Sequence, residues 1–384
     1  MDVYTTRWTP WRTDYDSLPE PDGRATLVLA FAGSAILDDP APLKKLIDRY
    51  PSAVVAGCST CGEIVGETLS DESFGLAIIR FDAARVIMAA EPISSPDESF
   101  DVGGRLATRL RLQEPTLKAV LVLSDGLIVN GSAVAAGLVD GTDRSVSIFG
   151  GLAGDYERFE RTWVLVDREP RIGYVTAVGL VGDSLTVRHG SQGGWEEFGP
   201  VRRVTRSEGN VLYKLDEEPA LELCKRYLGD RADGLPGTGL LFPLGIQAPG
   251  TTRRTVIRTV FSVDPAEQSM TFTGDIPTGS TAQLMTSGLD RLVAGAGSAG
   301  ADARGEVSAS DTRGDVLALA VSCFGRRLVL ARHTEDELEA VLSELAPGTR
   351  MIGFYSYGEL APVEAGSCDL HNQTMTVATI TELK

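Results

Sequence analysis

The sequence of 384 residues is poor in histidine, in cysteine and in clusters of positive charge. Three histidines and five cysteines are scattered along the chain, whereas a structural zinc site needs about four closely spaced ligands. Lys and Arg total 36 against 53 Asp and Glu, a net charge of −17. Because nucleic-acid binding requires clustered cations that displace counterions from phosphate, we expect neither a nucleic acid nor an anionic membrane surface as a partner.

Long apolar runs are also missing from the sequence. No stretch reaches the length of a transmembrane helix, and the N-terminal segment has no apolar core of the signal-peptide kind. Cysteines this sparse indicate reduced thiols and not a disulfide framework. We therefore expect a cytoplasmic protein without membrane insertion, and its 43% of hydrophobic residues suffices for a sizeable core.

Short apolar β-rich segments alternate with amphipathic helices along the chain. Four strands are predicted in succession between residues 145 and 190, which argues against a doubly wound parallel sheet. The sequence predicts an α+β protein of two domains, each with mixed or antiparallel sheets flanked by helices. The predicted division is an N-terminal extension (1–24), a first domain (25–200), a junction (201–220) and a second domain (221–384).

Three local patterns predict particular features of helices and loops. Asn130 is a candidate N-cap of a helix, and Thr334 and Glu337 have the spacing of a capping box. The stretch AGAGSAGADARGE at 294–306 has few side chains to pack, so we interpret it as a loop.

Two short motifs in the two halves of the chain resemble each other. STCGEI at 59–64 and YSYGEL at 355–360 share Ser or Thr, a spacer, Gly, Glu and an aliphatic residue. Both follow an apolar strand, and Glu63 and Glu359 occupy matching positions. The similarity indicates a pseudo-duplicated architecture.

The two cysteines of GCSTCGEI, at 57–64, allow more than one interpretation. A redox pair needs its first thiolate at the start of a helix, but the residues that follow are typical of extended structure. We interpret the motif as a corner of small residues packed against neighbouring backbone. A thiol-dependent enzyme that uses Cys58 and Cys61 is the alternative.

Four further candidates follow predicted strands or begin one. Asp125 and Asp155 lie just beyond strand ends, where pockets commonly form, although an Asp there also makes turn hydrogen bonds. Gly151 belongs to a group of glycines that permit close approach of the backbone. His371 is a candidate ligand to haem iron or polar pocket group, or a structural histidine bonded to a turn.

Taken together, these stretches resemble the FIST family, named from F-box and intracellular signal transduction proteins. GCSTCGEI, LSDGL and FGGLAGD resemble its N-terminal domain, and SCFGR, GFYSYGELAP and LHNQTMT resemble its C-terminal domain, over roughly residues 25–380. The family usually has a small residue where this chain has Cys61. The resemblance implies a sensory protein that binds a small ligand without catalysis, with amino acids proposed as ligands.

The resemblance also implies partners and an alternative cofactor. Family members occur beside signalling proteins, so a histidine kinase or another signalling enzyme is the expected protein partner. A bacterial subset resembles nitric-oxide sensors that bind haem, which makes haem the alternative ligand.

Within this family the strand-end corners are expected to line one shared pocket. Glu63 and Glu359 are candidates to receive a ligand ammonium, and Arg326 is a candidate clamp for a carboxylate; alternatively, the three form an internal ion-pair network. The complete predicted ligand-binding set is Gly57, Cys58, Ser59, Thr60, Glu63, Asp125, Gly151, Asp155, Arg326, Tyr357, Glu359 and His371.

Overall fold

The computed structural model describes residues 1–9, 17–20, 23–71, 73–248, 255–305, 312–363 and 366–384. Within these ranges the chain forms four sheets and seven α-helices, which confirms the predicted mixed α+β class. The helices are α1 (Ala41–Ile47), α2 (Ser99–Gln113), α3 (Gly131–Gly141), α4 (Ala220–Leu228), α5 (Leu289–Arg304), α6 (Phe324–Leu330) and α7 (Thr334–Glu344). None of them is long and apolar enough to span a bilayer.

Three of the sheets have six strands each. In order from one edge to the other, the first sheet is β1 (Asp2–Trp8), β6 (Phe74–Arg80), β2 (Thr26–Ala32), β3 (Val54–Ser59), β10 (Val164–Val166) and β11 (Glu169–Arg171). The second sheet is β7 (Arg85–Pro92), β12 (Tyr174–Val181), β8 (Leu117–Ser124), β9 (Ser147–Leu152), β24 (Gly358–Ala361) and β25 (Asp369–His371). The third sheet is β13 (Leu185–Gln192), β26 (Met375–Glu382), β22 (Leu317–Cys323), β23 (Arg350–Ser356), β4 (Glu63–Val65) and β5 (Thr68–Ser70).

These three sheets repeat one plan. Each has a central parallel pair, β2–β3, β8–β9 or β22–β23, whose strands are joined through helices, as parallel neighbours require. An antiparallel strand flanks each pair on one side. The predicted internal repetition is therefore present, and the structure contains three copies of the plan.

The repeats exchange hairpins in a cycle. The hairpin β4–β5, which follows β3, pairs with β23 of the third sheet. The hairpin β10–β11, which follows β9, pairs with β3 of the first sheet. The hairpin β24–β25, which follows β23, pairs with β9 of the second sheet, so each repeat completes the sheet of another.

The three repeated sheets, called the three-sheet body below, share one central core. Alternate residues of the parallel pairs, such as Leu29, Leu121 and Leu319, belong to a single cluster of buried apolar side chains. The opposite face of each sheet packs against helices: α1 on the first, α2 and α3 on the second, and α5 to α7 on the third. Strands buried on both faces explain the near-continuous apolar runs in the sequence.

The fourth sheet is antiparallel and lies between β13 and α5 in the chain. Its strands, in order, are β18 (Val256–Arg258), β17 (Leu244–Gln247), β21 (Thr281–Thr286), β14 (Glu196–Glu208), β15 (Val211–Leu215), β20 (Ser269–Phe272) and β19 (Val260–Asp264), with β16 (Glu218–Pro219) on β15. This sheet packs its own apolar core against α4. The predicted junction at 201–220 contributes β14 to β16 and stays a prediction as a domain boundary.

The local predictions have different outcomes. Asn130 caps α3 and accepts a hydrogen bond from Ala133 N at 3.2 Å, as predicted. The capping box is wrong, because Thr334 is the first residue of α7 and makes no cap hydrogen bond to the backbone of Glu337. The carboxylate of Glu337 instead lies in the protein interior.

The predicted loop at 294–306 is also wrong, because residues 294–304 belong to α5. Its buried face consists of small residues, among them Ala296, Ala299 and Gly300. A Cβ on Gly300 would lie 2.6 Å from Val341 O of α7. The scarcity of large side chains therefore permits close packing of a helix against its neighbours; Glu306 lies outside the described residues.

Candidate functional site

The turns that follow β3, β9 and β23 meet at one end of the three-sheet body. Cys61 N donates to Tyr355 O at 2.8 Å, and Gly154 N donates to Ser59 O at 3.0 Å. The Cys61 thiol fills the space beside Gly154, where any side chain would overlap it. The turns are thus in direct contact, and their meeting point is packed by the protein itself.

Glu63 and Glu359 occupy equivalent positions in the first and third of these turns. Thr60 Oγ1 donates to Glu63 Oε1 at 2.6 Å, and Ser356 Oγ donates to Glu359 Oε1 at 2.9 Å, both across three residues. Thr374 N and Oγ1 also donate to Glu359 Oε2, at 3.2 and 2.8 Å. Burial raises the pKa of both carboxyl groups to about 8, because a low-dielectric interior disfavours the charged form.

Arg326 pairs with a different acid. Its Nη2 lies 2.7 Å from Glu337 Oε2, and both side chains are fully buried. Its remaining donors bind the carbonyl oxygens of Gly193 at 2.6 Å and Leu292 at 2.8 Å. The predicted network of Arg326 with Glu63 and Glu359 is not formed, and the guanidinium donors that a ligand carboxylate would need are occupied.

Asp155 holds a longer loop, residues 155–162, called the Asp155 loop below. Its carboxylate accepts hydrogen bonds from the backbone N–H groups of Phe159, Glu160 and Arg161 at 2.9 to 3.0 Å. The hydroxyl of Tyr357 donates to the same carboxylate and to Tyr156 O. The second and third turns are thereby tied together.

Two aromatic residues of the Asp155 loop have left-handed backbone conformations. Tyr156 has φ of 65° and Phe159 has φ of 51°, a region that bulky residues rarely adopt. The ring of Phe159 stacks on that of Tyr357 with centroids 4.9 Å apart and meets Phe261 of β19 edge to face at 5.7 Å. Phe324 contacts Tyr156 and Tyr357 at 6.2 and 6.4 Å.

These five rings, Tyr156, Phe159, Phe261, Phe324 and Tyr357, are called the aromatic cluster below. The cluster bridges the three-sheet body and the fourth sheet, and it is open to solvent at Phe159 and Phe261, which are 46% and 47% exposed. Two guanidinium groups, of Arg158 and Arg327, lie 5.3 and 5.4 Å from the centre of the Tyr156 ring. The arrangement offers exposed aromatic faces beside the guanidinium of Arg158, whereas Arg327 is paired with Asp71 at 2.7 Å.

The remaining predicted residues have structural surroundings. Asp125 accepts hydrogen bonds from Leu127 N, Ile128 N and Gly173 N at 2.8 to 3.2 Å, so its carboxylate organises a turn. Ser59 Oγ accepts from Trp163 N at 3.0 Å. Gly57 pairs with Ala30 in β2, and Gly151 pairs with Glu359 in β24.

The two cysteines of the CSTC motif face different parts of the interior. Cys58 packs in the central core, whereas Cys61 packs in the cluster between the third sheet and its helices. Burial raises the pKa of both thiols well above the ordinary value. A thiolate nucleophile is disfavoured at either position.

His371 lies in β25, opposite Glu359 in the strand register. Its ring is buried and its Nε2 lies 3.3 Å from Ala361 O. Burial of this ring and occupation of Nε2 do not fit an axial ligand of haem, which needs a free nitrogen facing an open slot. Among the described residues no group of three or more His, Cys, Asp or Glu is arranged to hold a metal ion.

Sequence reasoning did not select Tyr156, Phe159, Phe261, Phe324 or Arg327. The segment DYERFERT at 155–162 carries two aromatic residues among arginine and glutamate neighbours, directly after a predicted strand end. That aromatic content in a polar loop was the available signal. The left-handed backbone and the contact with Phe261 depend on tertiary structure.

Two domains of one known family match nearly the whole chain. The FIST N domain matches residues 26–218, and the FIST C domain matches residues 220–362. The chain belongs to the FIST family. FIST proteins are a sensory signalling family, and the resemblance read from the motifs is confirmed.

Two kinds of relatives resemble this FIST protein. It is 24% identical over 378 residues to an uncharacterized protein of Methanocaldococcus jannaschii, a match that covers 88% of this chain and 70% of that protein. Among solved structures it resembles a chorismatase, with 9% identity, a TM-score of 0.38 and coverage of 100% of this chain and 98% of the other. It also resembles a cyanuric acid hydrolase from A. caulinodans, with 9% identity, a TM-score of 0.39 and coverage of 100% and 99%.

Proposed function

We propose that this FIST protein is a sensor that binds a small ligand, without catalysis, at the aromatic cluster. The observation that carries the proposal is the Asp155 loop, which has two aromatic residues in left-handed conformations. The Asp155 carboxylate binds Phe159 N, and the Cys61 sulfur binds Tyr156 N. Such strain costs about 1–3 kcal/mol per residue and concentrates at functional sites. Core packing does not require it, because Phe159 remains half exposed.

The exposed side of the aromatic cluster has the chemistry of a small-molecule site. Stacked rings provide a flat apolar wall, and a ligand there would contact both the three-sheet body and the fourth sheet. Arg158 has an exposed guanidinium that donates to Ser34 Oγ at 3.0 Å, which adds positive charge at the rim. An amino acid, as the family resemblance suggests, is a ligand of suitable size.

The buried thiols support a role without catalysis. Cys58 and Cys61 face different clusters, and burial raises the pKa of each. Neither forms the nucleophile and base pair that thiol chemistry uses. The proposed site therefore senses its ligand by binding alone.

Signalling would follow from the position of the site between two parts of the fold. A ligand that binds one arrangement of the fourth sheet better than another shifts the population toward that arrangement. The shift would change the surface presented to a partner, for which a histidine kinase or a related signalling enzyme is our proposal.

A thermal-shift screen of the twenty amino acids tests this function. We expect at least one to raise the Tm of the wild-type protein, because a ligand that binds only the folded state stabilises it. The Phe159→Ala variant should lose that increase. Phe198→Ala removes a ring of similar exposure, 43%, from the fourth sheet and serves as the matched control.

Two results of the thermal-shift screen would contradict the proposal. A ligand that stabilises Phe159→Ala as much as the wild type binds somewhere other than the aromatic cluster, and a screen without any stabilising compound removes the amino-acid proposal.

A further inference from the structure

The turn that joins β25 to β26 carries two buried amides that are only partly hydrogen-bonded. Asn372 Oδ1 accepts from Thr273 Oγ1 at 2.6 Å, but its Nδ2 has no partner among the described residues. Gln373 Nε2 donates to Leu240 O at 2.9 Å, and its Oε1 is likewise without one. Turning an amide over only exchanges its two ends, so one end stays unpartnered in either orientation.

These amides are completely buried, and their position is costly. An unpartnered polar group in the interior costs about 1–3 kcal/mol. Gln373 also has a left-handed backbone, with φ of 58°. Its carbonyl oxygen accepts from Trp195 Nε1 at 2.8 Å and Arg326 Nη1 at 3.4 Å, so the surrounding structure holds the strained conformation in place.

The amides adjoin the aromatic cluster. A Cβ on Gly358, the residue after Tyr357, would lie 3.5 Å from Asn372 Nδ2. A Cβ on Gly325, the residue after Phe324, would lie 2.5 Å from Gln373 Nε2. The two amides are therefore immediate neighbours of the backbone that carries two of the five rings.

A third unpartnered group comes from the fourth sheet. Thr259 is 4% exposed, and its Oγ1 has no partner within the described part of the chain. Its carbonyl oxygen accepts from Thr273 N at 3.1 Å, and Thr273 in turn holds Asn372. Thr259 lies two residues before Phe261. The hydrogen bonds from Thr273 to Thr259 and to Asn372 join the fourth sheet to the turn, and Thr259, Thr273, Asn372 and Gln373 are called the seam below.

The two buried arginines beside the seam are each paired with an acid, and Arg258 Nη2 lies 3.4 Å from Asp369 Oδ1. Arg326 is neutralised by Glu337 at 2.7 Å. Burial raises the pKa of Glu359, which Thr374 links to the same turn, to about 8, so its carboxyl group is neutral at pH 7. An ionised ligand group would lie here without a compensating charge, which is expensive in an interior.

We propose that the seam binds the carboxamide group of a small neutral molecule whose planar body lies against the aromatic cluster. The ligand oxygen would accept from Asn372 Nδ2, and the ligand N–H would donate to Gln373 Oε1. Entry requires the rings of Phe159 and Phe261 to separate. This inference rests on the proposed function of a small-ligand sensor and names a neutral carboxamide as the ligand in place of an amino acid.

Benzamide and benzoate are the probes that test the ligand class. They share a planar ring and differ in whether the polar group is neutral or anionic. By isothermal titration calorimetry at pH 7 we expect benzamide to bind at least about tenfold more tightly than benzoate, the size of one well-placed hydrogen-bond difference of about 1.4 kcal/mol. Absence of benzamide binding, or equal binding of the two, overturns the inference.

Asn372→Asp replaces the amide donor with an acceptor of the same shape. We expect it to weaken benzamide binding at least about tenfold. Asn210→Asp is the matched control, because Asn210 Nδ2 donates to Phe272 O at 2.7 Å within the fourth sheet, away from the seam. Unchanged benzamide binding in Asn372→Asp overturns the inference.

Thr259→Val provides a readout that a purely structural role would not give. Removing a hydroxyl that is buried without a partner in the free protein should raise Tm, while the loss of the hydrogen bond that this hydroxyl would make to the bound carboxamide should weaken benzamide binding. If Thr259→Val lowers both Tm and benzamide affinity, or changes neither, the inference is contradicted. This variant also tests the inference if Asn372→Asp does not fold. If these tests fail while Phe159→Ala still abolishes stabilisation by an amino acid, the proposed function stands without this ligand class.

Discussion

The strand-end turn of the second repeat differs from those of the first and third in the role of its acid. Glu63 and Glu359 each accept from a hydroxyl group three residues earlier, and the chain passes directly into a hairpin. Asp155 instead binds three backbone N–H groups and holds a loop that reaches as far as β10. The acid at this place in the fold is thus buried in packing in two repeats and holds the surface loop with Phe159 in one.

The difference separates stability from function within one repeated plan. The two glutamate side chains are fully buried, whereas the Asp155 loop projects the half-exposed ring of Phe159 toward the fourth sheet. The acids of the first and third repeats stabilise the interior, and the acid of the second repeat holds an exposed loop. The contrast leads to three mutational tests, the first with the largest expected effect and the last with the smallest.

The largest effect is expected for the glutamates and depends on pH. Their pKa in the folded protein, about 8, exceeds the ordinary value of 4.5. Between these two values the folded state retains protons that the unfolded state has lost, so stability is greatest at pH 4.5 and below and declines as pH rises to 8. Each glutamate contributes at most about 5 kcal/mol to that decline.

Glu63→Gln and Glu359→Gln should flatten this dependence, because glutamine does not ionise. Urea unfolding at pH 5, 7 and 9 measures how the free energy of unfolding depends on pH. The variants should be more stable than the wild type at pH 9. If the free energy of unfolding depends on pH equally in the wild type and in both glutamine variants, the buried glutamates do not cause the decline.

A smaller effect, about 2–3 kcal/mol, is expected for Asp155→Ala. Three backbone N–H groups and the Tyr357 hydroxyl lose a charged acceptor, and such hydrogen bonds contribute about 1.5–3 kcal/mol, partly replaced by water. Amide hydrogen exchange of residues 159–161 should accelerate, while exchange at 127–128, held by Asp125, should not change. Equal acceleration at both places would indicate general unfolding and not release of the loop.

The smallest effect on stability is expected for Phe159→Ala, at about 1 kcal/mol or less. Its ring is half exposed, and the stacking that it loses with Tyr357 is worth about 0.5–1.5 kcal/mol. Phe324, which is buried, is the internal reference and should lose about 3–5 kcal/mol on substitution by alanine. Thermal unfolding compares the two, and similar losses would mean that Phe159 is a core residue.

The sequence predicted the class of the fold and part of its repetition for identifiable reasons. Strands buried on both faces leave apolar runs, and the shared Gly–Glu motif marked two of the three turns. The turn of the second repeat was not predicted, because Asp155 replaces glutamate there and no hydroxyl group lies three residues before it. The helix α5 was missed because its packing uses glycine and alanine, residues that also occur in loops.

The candidate site was harder to predict than the fold. Its rings come from residues as distant as Tyr156 and Tyr357, and only the hairpin exchange brings them together. The partner of Arg326, Glu337, lay in a segment that looked like an ordinary helix start. The unpartnered ends of Asn372 and Gln373 follow from three-dimensional contacts that no local pattern encodes.

The cyclic exchange of hairpins has a consequence for how the chain folds. Strand β3 obtains a neighbour from residues 164–166, β23 from residues 63–65, and β9 from residues 358–361. The ring of pairings closes only when both halves of the chain are present, which gives a high contact order and slow assembly. A fragment limited to the first half would leave the edge of β9 bare, and an open strand edge invites self-association.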